Sequence, residues 1–319
     1  MLLLLFFFLT NVIISILYIY LARKFKIYDK PNYRSSHNLI TLNGGGILFP
    51  ISFLIPIILF LNPNEYINLI IGTILIASIS FIDDLRPVNN LIRFSIQSIS
   101  VLFFLNHFDM IILNNLVFII SFVLITGILN SYNFMDGING LNGLYSLTSL
   151  VSLYYLNSYF NFTNDVLLQS LIISILIFLY LNFRKKAIVF SGDIGSISMG
   201  YIISFMVFNL ILIDQNIKWV LLFGIYGLDT VGTIVLRLLR KENIFQAHRS
   251  HFYQYLTNEK KISHLIVSIV YSVLQLILNI IIYNNSNFQI LFFYILIIFT
   301  YVYLRINYEG YNRLFKNYH

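Results

Sequence analysis

Residues 66–97 read "YINLIIGTILIASISFIDDLRPVNNLIRFSIQ", and the order of apolar and charged residues in this stretch decides the fold. An uncharged apolar run over 66–82 ends on two adjacent carboxylates, Asp83 and Asp84. Pro87 then stops the helix, and a second apolar run opens around Arg93. Such runs suit a membrane, whose hydrocarbon core takes about 20 mostly apolar residues per helical span. Two like charges side by side at the edge of that layer repel each other and are costly there. Something must compensate them.

The remainder of the chain agrees with a membrane. Of its 319 residues 58% are hydrophobic and 10% charged, against about 25% charged in soluble domains. There is no cysteine, which excludes a disulfide framework and thiolate metal sites. The opening "MLLLLFFFLTNVIISILYIYLARK" has no basic leader region and no small-residue cleavage site, so it is expected to be a first span. Further spans are expected at 46–61, 66–82, 91–106, 110–129, 143–160, 165–183, 196–213, 218–236, 264–283 and 287–305, the first being 1–22. The expected fold is an all-α polytopic membrane protein of about eleven transmembrane helices, a single domain over 1–319.

Cations give the orientation. One set of links holds Arg23, Lys24, Lys26, Lys30 and Arg34, then Arg86 and Arg93, then Arg184, Lys185 and Lys186. It continues with Arg237, Arg240, Lys241, Arg249, Lys260 and Lys261, and closes with Arg305, Arg313 and Lys316. Only Lys218 of the twenty Lys and Arg residues falls in the other set. The crowded side is therefore expected to be cytoplasmic, with the N-terminus outside and the C-terminus inside. The net charge of +7 then serves mainly as a topology signal.

Four links carry unusual polar sequence, and all fall on the cytoplasmic side: "FIDDLRPVNNLIR" (81–93), "NSYNFMDGINGLNG" (130–143), "FSGDIGS" (190–196) and "QAHRSHFYQ" (246–254). One shared site explains this best. Asp83, Asp84, Asp136 and Asp193 offer hard oxygen ligands of the kind magnesium takes together with water and phosphate. Glycines around Asp136 and Asp193 let backbone approach a ligand, and a helix start near Gly195 could face an anion. His248 and His251 share a face if their stretch is helical. Singly, each feature has a plainer reading. A helix-end Asp is usually a cap, "DGING" a turn, and a His pair a surface feature. Asp229, inside the ninth span, either is buried and paired or supports the site.

The ordered motifs "RSSHNLITLNGGG", "DDLRPVNNLIRFSIQ", "NSYNFMDGINGL", "GDIGS", "GLDT" and "HRSH" resemble those of the polyprenyl-phosphate N-acetylhexosamine-1-phosphate transferases. These form glycosyltransferase family 4, with the O-antigen and teichoic-acid initiators, and phospho-N-acetylmuramoyl-pentapeptide transferase is a relative. The resemblance implies transfer of N-acetylhexosamine-1-phosphate from UDP-N-acetylhexosamine to undecaprenyl phosphate, with release of UMP. It implies a magnesium-dependent enzyme (manganese serving in its place) of the bacterial inner membrane, working at the cytoplasmic face in cell-surface glycan synthesis. The bilayer is the other partner; no nucleic acid is implied, and a homodimer is compatible with it.

By motif position, Asp193 resembles the principal magnesium ligand, with Asn133 beside it. Asp83 and Asp84 resemble the pair set against phosphates and metal. Arg93 matches a basic position for the lipid phosphate. Asn139 resembles the residue that bonds uracil and Phe190 the ring that stacks on it, with Asn130 and Asp136 in the same pocket. His248, Arg249 and His251 resemble a basic cluster near the diphosphate or sugar. Ile40 and Asn43 stand where many relatives have Pro and Arg, and "HRSHFYQ" replaces a run of three histidines, which argues against the pentapeptide substrate. A secondary transporter is the leading non-enzyme alternative, although its site would lie near the bilayer midplane.

Overall fold

The computed structural model describes residues 1–31, 36, 39–110, 115–244, 246 and 248–315, with Asn312 as backbone only. Arg34 and Lys316, counted above among the inward cations, lie outside the described residues, as do positions 34, 35, 37 and 38 of the first motif. The long helices are α1 (Leu2–Lys24), α2 (Leu48–Phe60), α3 (Ile67–Leu85), α4 (Asn90–His107), α5 (Asn115–Phe134), α6 (Leu141–Phe160), α7 (Asp165–Asn182) and α8 (Gly192–Asp214). After them come α9 (Gly224–Leu239), short α10 (Phe252–Asn258), α11 (His264–Asn284), α12 (Asn287–Glu309) and the terminal turn α13 (Tyr311–Phe315).

Among the described residues, each of the expected spans contains helical structure. Among the described residues eight units are long and apolar enough to cross a membrane: α1, α3, α5, α7, α8, the Ile217–Leu239 unit, α11 and α12. The other three expected spans are helices of a different kind. At 13 residues α2 is short and holds Pro56, while serines, asparagines and Gln97 dilute α4 and α6. The chain is a multi-pass membrane protein.

The centre of the bundle is α8, which packs against α2, α3, α5 and α6 and buries nearly its whole surface. α12 is the opposite case, burying only Ile290 and Arg305. Buried polar side chains tie the interior together where hydrocarbon offers no partner. Ser52 donates to Asn11 Oδ1 (2.6 Å) and Ser170 to the Ser52 carbonyl (2.8 Å), joining α1, α2 and α7. The ninth span starts as a 3₁₀ helix, Ile217–Phe223, before α9. Backbone groups freed at that change are met by Gln275 of α11, whose Nε2 donates to the Leu221 carbonyl (3.0 Å) and whose Oε1 accepts from Ile225 N (3.0 Å).

Consecutive helices run antiparallel, so α3 and α5 end where α4, α6 and α8 begin. A ribbon closes this end, Tyr28–Asp29 pairing antiparallel with Thr41–Leu42. It extends to the link before α8: Phe190 N donates to the Leu42 carbonyl, Gly45 N to that of Phe190, and Gly46 N to that of Ser191, at 2.8, 2.8 and 2.9 Å. Glycine is required here. A Cβ on Gly46 would stand 2.2 Å from the Gly195 Cα, backbone against backbone.

Candidate active site

The two aspartates of "FIDDLRP" have separate partners. Asp83, on the last turn of α3, accepts from Val88 N (2.7 Å) and from Arg93 Nη1 (2.5 Å), closing the turn into α4. Asp84 turns the other way. Its Oδ1 accepts from Asp193 N (2.9 Å) and Asn43 Nδ2 (2.9 Å), and its Oδ2 from Ile194 N (3.0 Å). The helix start expected to face an anion instead has its amides taken by the Asp84 carboxyl group. Gly192 makes the approach feasible, having φ of +72° and no side chain; a Cβ there would lie 2.5 Å from Asp84 Oδ2.

Asp193 lies within reach of three elements. Its Oδ2 accepts from Arg93 Nη1 of α4 (3.1 Å) and sits 3.4 Å from Asn133 Nδ2 of α5. Asp136 follows α5 and accepts from the Ser191 hydroxyl. Burial pushes the Asp136 carboxyl well above its ordinary range, and the Asp193 and Asp84 charges push the same way against the Ser191 hydrogen bond.

These groups border one cavity of about 190 Å³. Asp84, Asn133, Asp136 and Asp193 line its acidic part, and Asn139 and Phe190 line it as well. Asp83 and Arg93 are not in the lining; they hold Asp193 from beside it. Asn139 donates through its Nδ2 to the Arg184 carbonyl (2.7 Å). Asp29, Asn43, Asn182, Ser191 and Gln254 also line the cavity and were given no role from sequence. Asn43, Ser191 and Gln254 are neutral side chains in polar links, Asn182 ends α7, and Asp29 stands alone in a basic link, so none carries a signal that separates a wall from a turn or a cap.

Two further groups of expected site residues lie outside the cavity lining. Asn130 is not in the pocket with Asp136; it lies within α5 and donates to the Thr126 carbonyl of its own helix (2.8 Å). His248, Arg249 and His251 do not line the cavity either. The two imidazoles lie 5.0 Å apart and pack on Phe134, and Arg249 reaches Glu259 at 3.8 Å. Behind them stands Asp229. It accepts from Phe252 N (3.0 Å), Tyr253 N (3.3 Å), Tyr271 OH (2.7 Å), Thr233 Oγ1 (3.2 Å) and Tyr301 OH (3.2 Å), with His251 Nδ1 at 3.6 Å. Asp229 is thus buried and paired, and it also caps α10. A transporter's mid-span acid would need to be open to cargo, and this one is filled. Arg237, read only as a topology signal, holds the next segment by donating to the carbonyls of Asn243 (2.7 Å) and Gln246 (3.2 Å).

Among the described residues no three His, Asp or Glu side chains are grouped to hold a metal alone. Magnesium does not require that, since it is usually held through one or two carboxylates with water and substrate phosphate. Asp84, Asn133, Asp136 and Asp193 bring hard oxygen donors to one cavity, so the donor set fits a divalent cation.

A search of curated proteins finds no match for the chain. Residues 66–211, from α3 through most of α8, match the family model described as Glycosyl transferase family 4.

Proposed function

Because residues 66–211 match the glycosyl transferase family 4 model, we propose that the chain is a transferase of that family, moving N-acetylhexosamine-1-phosphate from a UDP-N-acetylhexosamine to undecaprenyl phosphate and releasing UMP. We place the reaction at the cytoplasmic face of a bacterial plasma membrane, in an eleven-span chain whose N-terminus is outside, where it starts a lipid-linked surface glycan. The observation that carries the reading is the position of Asp193. It borders the cavity on one side and accepts from Arg93 on the other.

A nucleotide in the cavity and a lipid phosphate at Arg93 would therefore meet at one carboxylate. Arg93 suits a lipid head group, because its neighbours Leu91, Ile92 and Phe94 are exposed apolar side chains at the start of α4. An oxygen of the lipid phosphate attacks the sugar-linked phosphorus, and the bond to the UMP oxygen breaks. Asp193, with Asn133 beside it, would hold magnesium, which supplies charge neutralisation to the diphosphate. A phosphate monoester is already largely ionised at pH 7, so no general base is needed, and Asp83 is engaged by Arg93. Phe190 and Asn139 of the cavity wall are suited to the uracil ring.

The test is UMP release from membranes supplied with undecaprenyl phosphate, magnesium and a panel of UDP-sugars. Turnover is expected with a UDP-N-acetylhexosamine and is lost in Asp193→Asn at unchanged expression. Folded protein that turns over none of the panel overturns the reading.

A further inference from the structure

Gln254 carries an amide oxygen that the described fold leaves unsatisfied. It is the cavity's lining residue from the 237–263 segment, and its Oε1 is buried without a hydrogen-bond partner among the described residues. The hydroxyl of the neighbouring Tyr253 donates to the Phe134 carbonyl (2.8 Å), which fixes the wall beside the amide. Tyr253 is itself fixed. It is fully buried, its amide is held by Asp229, and its hydroxyl would stand 2.3 Å from a Cβ at Gly137. A buried carbonyl without a donor is costly, and a ligand N–H or O–H removes that cost. The terminal torsion of Gln is broad, so its oxygen can meet such a donor without leaving its rotamer.

We propose that Gln254 reads the sugar half of the sugar nucleotide, accepting a hydrogen bond from a sugar N–H or O–H. This rests on the transfer reaction proposed above. The other parts of the donor are matched elsewhere. The diphosphate belongs with Asp193 and a cation, since a neutral amide oxygen repels phosphate oxygens. The base is matched by Phe190 and Asn139. The sugar is what remains for a neutral acceptor on the wall supplied by α10.

The experiment compares binding of UMP and of UDP-N-acetylglucosamine to the purified full chain and to Gln254→Met, with magnesium present. Affinity for the UDP-sugar is expected to fall about tenfold or more while that for UMP stays within twofold. Retained UMP binding also reports that the site is folded. An equal partial loss for both ligands, or no loss for either, overturns the proposal. Should Gln254→Met lose all binding, Gln254→Asn, which keeps an amide, is read by the same criterion. Failure of the unaltered chain to bind any UDP-sugar is a different result; it removes the proposed reaction itself.

Discussion

The backbone amide of Asp193 donates to the Asp84 carboxylate at 2.9 Å across 109 positions of sequence. A side chain at the end of α3 thereby caps α8, the helix whose first turn carries Asp193. Asp229 does the same for α10 from within α9. In both cases a carboxylate that looks chemical in the sequence orders the start of another helix.

Asp84→Ala should lower stability by about 1–3 kcal/mol, the range for losing a charged cap that serves buried amides. Gly192→Ala should cost a similar amount, about 1–3 kcal/mol, through its left-handed backbone and its contact with Asp84. The double variant should cost less than the sum, because removing the Asp84 carboxylate removes the clash. Thermal unfolding of the four proteins in one detergent checks this; strict additivity would separate the two residues.

Replacing Arg93 should have opposite effects on cation binding and on turnover. Its Nη1 holds both Asp83 (2.5 Å) and Asp193 (3.1 Å), so it competes with a cation for Asp193. Arg93→Gln is expected to bind manganese more tightly, read by paramagnetic titration, while UMP release falls. Weaker manganese binding would show that Arg93 assists the cation.

His248 predicts an acid-sensitive fold. Burial lowers its pKa to about 4, helped by the nearby His251, Arg237 and Arg240 charges and opposed by Glu242. The unfolded chain takes up this proton near 6.5, so the unfolded state binds more protons between those values. The His248 contribution is therefore complete above about pH 6.5 and is lost as pH falls toward 4. His248→Gln should flatten the decline in melting temperature between pH 7 and pH 5; an unchanged slope would assign it to other groups.

Asp229→Ala should be the most damaging of these changes, at about 3–5 kcal/mol, since it removes a buried carboxylate and strands the two backbone amides and three hydroxyls that donate to it. Arg305 donates to Thr233, Tyr301 and the Ser250 carbonyl in the same network. Limited proteolysis should then cut first within 237–263. Cutting elsewhere first would deny Asp229 its role in ordering that segment.

The helices were legible because a run of some 20 apolar residues has little else to become. The residues that gather at one end were legible too, since Asp83, Asp84, Asn133, Asp136 and Asp193 are polar at the ends of such runs. Their partners were not. Whether Asp84 meets a metal or the amides of α8 depends on how α3 lies against α8, which no local pattern encodes. Asn130 shares a face of α5 with Asn133 but lies about 4.5 Å deeper along the helix, at about 1.5 Å per residue, so the shared face does not carry it to the cavity. Gln254 could not be singled out, because a buried orphan oxygen is a property of packing alone.

The capping of α8 by Asp84 also governs how the ligands depend on each other. The partial positive charge of that helix start is already spent within the protein, so an incoming diphosphate finds Asp136 and Asp193 facing it with Arg93 beside them. On the proposed function, a cation entering with the nucleotide would offset the repulsion between its phosphates and these acidic side chains. Cation and sugar nucleotide should then strengthen each other's binding by one and the same factor, as reciprocity demands. The order in which they are added would alter the route to the loaded state and leave the final occupancy unchanged.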